Sequence, residues 1–95
     1  MEHVYLVCYD ICDQKRWRKI YKTMKGYGVW LQLSVFQCRL NRQNLLRMTA
    51  CLNELMNADE DHVMIIDVGP AESVSIRVES FGKPFVPIEQ RAIIV

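Results

Sequence analysis

Residues 3–11, HVYLVCYDI, run without glycine or proline, are rich in β-branched and aromatic side chains, and carry a single charge at Asp10. Such a run reads as a strand apolar on both faces, and both faces then need cover. A chain of 95 residues has room for one domain and one core. With 51% of its residues apolar and 24% charged, it holds more apolar surface than so short a chain hides easily. That surplus points to a second copy.

The remaining segments supply one covered face. Asp13 stands at an N-cap position, and Trp17, Ile20, Tyr21, Met24 and Tyr27 recur at helical spacing until Gly26 and Gly28 close the segment. Residues 29–40, VWLQLSVFQCRL, read as one long strand, apolar at Val29, Leu31, Leu33 and Val35 on one side and mixed on the other. Asn41 caps a second helix with Leu45, Met48, Leu52 and Leu55 on its apolar side, and the acidic loop Asp59-Glu60-Asp61 ends it. A third strand follows over 62–68, a turn at Gly69-Pro70, and a fourth strand in which Val74, Ile76 and Val78 alternate with polar residues.

The expected fold is α+β, a mixed or antiparallel sheet with two helices on one face. Strands one to three are apolar on both sides, so the bare face predicts a homodimer stacked sheet on sheet. Residues 1–82 form the domain. Residues 83–95 form a tail whose end, Ala92-Ile93-Ile94-Val95, reads as a short strand able to pair with a sheet edge.

Charge is segregated along the chain. No acidic residue lies between Asp13 and Glu54, and nine of the twelve basic residues lie there. Four of them, Lys15, Arg18, Lys22 and Lys25, make a basic stripe along the first helix, with Arg16 and Lys19 beside it. A basic run is often only a solvated face, but without acids on the same helix its natural counter-charge is a polyanion. These six residues are the expected nucleic-acid contacts.

No apolar run approaches the roughly 20 residues that span a bilayer, and the start Met1-Glu2-His3 has no signal-peptide character, so the expected location is cytoplasmic, with no membrane partner. Cys8, Cys12, Cys38 and Cys51 form no CxxC pair, and His3 and His62 add no metal-ligand spacing, so the thiols are expected reduced and mostly buried. Asp10, at a strand end before a helix, is placed either to meet a metal or substrate or to accept turn amides. One carboxylate is a poor Mg2+ site unless a two-fold axis brings a second Asp10 to it.

The segments YDI at 9–11, DQKRWRKI at 13–20, YG at 27–28 and LQLSVFQCRL at 31–40 resemble, in that order, CRISPR-associated protein two, the small subunit of the spacer-acquisition complex. The resemblance runs from residue 4 to about 82. It implies a ferredoxin-like βαββαβ sandwich, in which the long second strand folds back as a hairpin, and a homodimer of stacked sheets with the final strand pairing to the partner. It implies that Asp10 is the catalytic and metal-binding residue, a pair of them holding Mg2+ for hydrolysis of RNA or DNA. Tyr9, Asp13, Ser34 and Phe36 are supporting residues of the same motifs. The dimer would bridge two dimers of the CRISPR integrase subunit, with duplex DNA on its basic surfaces and single-stranded RNA as a second ligand. Trp30, Leu33 and Gln37 depart from the family pattern, standing where an arginine, a tyrosine and a glutamate are usual. The alternative is a stand-alone toxin-like or regulatory ribonuclease of the same fold.

Overall fold

The computed structural model describes residues 1–83, and the tail strand expected at 92–95 lies outside them. The described elements are β1 (His3–Asp10), α1 (Gln14–Lys25), β2 (Gly28–Gln32), β3 (Val35–Leu40), α2 (Arg42–Leu55) and β4 (His62–Pro70). The sheet order is β2-β3-β1-β4 with every neighbouring pair antiparallel, and the connectivity is the ferredoxin-like βαββαβ.

Two expectations are corrected. Residues 29–40 are the hairpin that the family resemblance implies, not the one strand that their periodicity suggests. The chain reverses at Leu33-Ser34, with Leu33 in the left-handed region at φ 38°. Two indoles hold that unusual turn: Trp30 Nε1 donates to the Leu33 carbonyl at 3.0 Å, and Trp17 Nε1 donates to Ser34 Oγ at 2.9 Å. The second correction concerns Gly69-Pro70, which lie inside β4. The turn follows at 71–73, and residues 74–79 form no strand. Gly69 adopts φ 134°, a conformation glycine alone takes readily, beside the register shift between Val4 and Tyr5.

Alternation along the strands decides which side chains meet the helices. Tyr5, Val7 and Tyr9 of β1 and Phe36, Cys38 and Leu40 of β3 turn inward against Ile20, Tyr21 and Met24 of α1 and Met48 and Leu52 of α2. Phe36 is the largest fully buried side chain, flanked by the rings of Tyr9 at 6.3 Å and Tyr21 at 5.7 Å. Trp17 stacks on Tyr21 at 5.2 Å, so the aromatic residues of α1 pack inward against the core. The β2–β3 pairing is close: a Cβ at Gly28 would stand 2.5 Å from both Cys38 Sγ and the Gln37 carbonyl, which only glycine avoids.

Among the described residues, no helix covers the opposite face of the sheet. Across it run the rows Gln37, Leu6 and Ile66, then Val35, Cys8 and Met64, and finally Asp10 beside His62. Ile66 and Met64 are 41% and 46% exposed, and Val29 on β2 is 67% exposed. Residues 78–81 flank the corner made by Leu31, Gln32 and Val35.

Candidate metal site and nucleic-acid interface

Asp10 ends β1 on this open face. Tyr9 turns inward, so Asp10 turns outward, and strand register sets it directly across from His62. Asp10 is exposed and forms no side-chain hydrogen bond or ion pair among the described residues. It is therefore not the acceptor of turn amides. That task falls to Asp13, which caps α1 by accepting from the Arg16 amide at 2.9 Å.

An exposed carboxylate with no cation beside it could give Mg2+, which prefers oxygen donors and keeps several waters, one ligand, and a second carboxylate would be needed to complete a site. The described residues place one carboxylate at this strand end, and no group of three or more His, Cys, Asp or Glu residues able to hold a metal occurs among them.

Tyr9 and Ser34 frame the strand end from the helix side. The Tyr9 amide donates to the Ser34 carbonyl at 3.0 Å, which ties the hairpin turn to the end of β1. The Tyr9 hydroxyl is buried without a hydrogen-bond partner of good geometry, and burial pushes its ionisation well above the ordinary phenol range. Ser34 lies close enough to favour the ionised form, yet its Oγ is already engaged by Trp17.

The connection after Asp10 is fixed from the far side of the chain. Asp61 is buried, and its carboxylate accepts from the Cys12 amide at 2.9 Å, the Asn57 amide at 2.8 Å, and Arg16 through Nε at 2.9 Å and Nη2 at 3.2 Å. Arg16 Nη2 also reaches Glu60 Oε1 at 3.1 Å, and the Cys12 thiol donates to the Glu60 carbonyl at 2.9 Å. The forked guanidinium and two amide donors hold the Asp61 carboxyl well below the usual carboxylate range, against a smaller opposing effect of burial.

A depressed folded-state pKa places this contribution to stability at full strength above about pH 4, and removes it as pH falls below that. Thermal melts from pH 7 down to pH 2.5 should show a steep acid limb in the native protein. Asp61→Asn should flatten that limb and lower Tm at pH 7 by on the order of 10 °C, because Arg16 loses its buried charge partner and keeps only the exposed Glu60.

Of the six expected nucleic-acid contacts, Arg16 is thus turned into the fold. Lys15, Arg18, Lys19 and Lys22 form no ion pair among the described residues, and Lys25 lies 5.4 Å from the centroid of the Tyr21 ring. The stripe and Asp10 sit on opposite layers, joined by residues 11–13. The thiols are not mostly buried as expected: Cys12 is exposed and Cys8 and Cys51 are half-buried, whereas Cys38 is buried and burial pushes its thiol up to about 11.

Residues 3–75 match the family model described as CRISPR associated protein Cas2. The chain belongs to the Cas2 family. It is 58% identical over its whole length to a Geobacter sulfurreducens protein named CRISPR-associated endoribonuclease Cas2, with the whole of that protein covered. It is 53% identical to a Rhodospirillum rubrum protein named CRISPR-associated endoribonuclease Cas2 1, over 99% of this chain and 92% of the relative. Among solved structures, Streptococcus pyogenes Cas2 at pH 6.5 superposes with a TM-score of 0.73 at 26% identity, over 83% of this chain and 99% of the other. A Thermus thermophilus protein described as hypothetical gives 0.73 at 31%, over 92% and 99%.

Sequence reasoning missed the Arg16–Asp61 pair and the alignment of His62 with Asp10. No local signal carried the first, since its partners are 45 residues apart. The second becomes visible once β1 and β4 are paired. No helix among the described residues is long and apolar enough to cross a membrane.

Proposed function

We propose that this chain is a nucleic-acid-handling subunit of CRISPR adaptation that acts as a two-fold dimer. Two copies stack their open sheet faces and bring their Asp10 carboxylates together to hold Mg2+. The observation that carries this reading is the bare apolar sheet face ending in an unpaired carboxylate. Apolar rows at Ile66, Met64 and Val29 supply the contact, and self-complementarity across a two-fold axis needs no other partner. The names of the relatives support RNA as a substrate. Magnesium, when bound, would neutralise a phosphate oxygen and lower the pKa of a water.

The protein's own residues do the rest. Asp10 orients the ion, Tyr9 and Ser34 fix the end of its strand, and the cations Lys15, Arg18, Lys19, Lys22 and Lys25 hold the phosphate backbone on the helix layer. In the acquisition complex that layer would carry duplex DNA while the dimer bridges two integrase dimers.

Asp10→Asn separates the two roles. With single-stranded RNA and Mg2+, cleavage should fall on the order of 100-fold or more, whereas binding measured in EDTA should be unchanged. Cleavage that survives the substitution would overturn the catalytic assignment and leave the binding one in place.

A further inference from the structure

We propose that Arg16 and Asp61 are positioning residues for Asp10, a proposal that rests on the paired-carboxylate reading above. A carboxylate that meets its symmetry mate at one ion must be placed to within a fraction of an ångström, and an exposed strand end does not provide that alone. The buried Asp61 carboxylate holds the chain just after Asp10, and the backbone that carries it continues into the strand facing Asp10. Two residues downstream it accepts from the Cys12 amide at 2.9 Å, and its own neighbour in sequence, His62, is the cross-strand partner of Asp10. Arg16 locks the same carboxylate with two donors from the first turns of α1. The Cys12 thiol adds a second link between the two loops by donating to the Glu60 carbonyl.

The guanidinium is suited to the task because its planar fork holds both carboxylate oxygens at once, with Nε on one and Nη2 on the other. Lysine would keep the charge and lose the fork. Asp61 thus has four donors on its oxygens and its side chain closed off from solvent, which ties the turn after Asp10 to α1 and to the α2–β4 loop. An arginine sitting in a basic helix is thereby withdrawn from phosphate binding and given to geometry.

Mn2+ titrations of the intact protein, read by electron paramagnetic resonance, test this beside RNA binding measured in EDTA across a salt series. Arg16→Lys and Arg16→Ala should weaken Mn2+ binding 10- to 100-fold. Neither should change RNA affinity in EDTA or its salt slope, and Asp10→Asn should abolish Mn2+ binding. If Arg16→Ala does not fold, Arg16→Lys carries the test, since it keeps the charge beside Asp61. Mn2+ binding lost in Asp10→Asn but unchanged in the Arg16 variants overturns the positioning role alone. A salt slope that falls by about one per Arg16 removed, with Mn2+ binding intact, assigns Arg16 to phosphate and also overturns it. Mn2+ binding that is absent in the native protein, or survives Asp10→Asn, overturns the paired-carboxylate reading and the positioning with it.

Discussion

Ile66→Glu is expected to turn the proposed dimer into a folded monomer. Ile66 lies on the open sheet face in the row with Leu6 and Gln37, where it is 41% exposed in the single chain. A glutamate there stays solvated in a monomer, so the fold tolerates it. In a sheet-on-sheet dimer the same carboxylate is buried without a partner, and symmetry repeats the cost. Two unpaired buried charges cost on the order of 4–6 kcal/mol, roughly a 10³- to 10⁴-fold weaker dimer. Sedimentation equilibrium reads the change directly, and far-ultraviolet circular dichroism should be unaltered. A variant that stays dimeric at micromolar concentration would move the interface off this face.

Arg18→Glu combined with Lys22→Glu should remove nucleic-acid binding. Both residues lie on α1 and form no ion pair among the described residues, so their charge is available to phosphate. A dimer carries the pair twice, and loss of four phosphate contacts should shrink the log-log salt slope on duplex DNA by about 3 to 4. Near 100 mM salt, affinity should fall on the order of 10³-fold, since reversal adds repulsion to the lost contacts. Filter binding over a salt series checks both quantities. An unchanged slope would make the stripe a solvated face and place the polyanion elsewhere.

The elements with an unbroken period were legible in the chain. β1 announces itself through HVYLVCYDI, α1 through Trp17, Ile20, Tyr21 and Met24, and α2 through Met48 and Leu52 behind the Asn41 cap. The β2–β3 turn was not legible from its residues, because VWLQLSVFQCRL contains none of the glycine, proline or asparagine that mark reversals. Leu33 enters the left-handed region there because two indole N–H groups compensate, and Trp17 comes from another element. Residues 74–79 mislead in the opposite sense. Their alternation is real, but no neighbouring strand among the described residues completes a ladder with them.

The candidate site divides along the same line. Asp10 and Asp13 sit in sequence where their roles are local, a strand end and a helix cap, and both roles follow from the chain. Arg16 looks like its basic neighbours until the α2–β4 loop folds back and sets Asp61 and Glu60 against it. Long-range partners of this kind leave no periodic trace, so composition assigned Arg16 to nucleic acid and tertiary packing assigned it to the fold.

The pairing of Asp10 across a two-fold axis is tested most directly by counting ions. Mn2+ bound per chain, measured at saturating metal on the native protein, should be one ion for every two chains, and the bound ion should be lost in Asp10→Asn and in the monomeric Ile66→Glu. One ion per chain, or an ion retained by the monomer, would contradict a shared site and with it the arrangement of two sheets face to face.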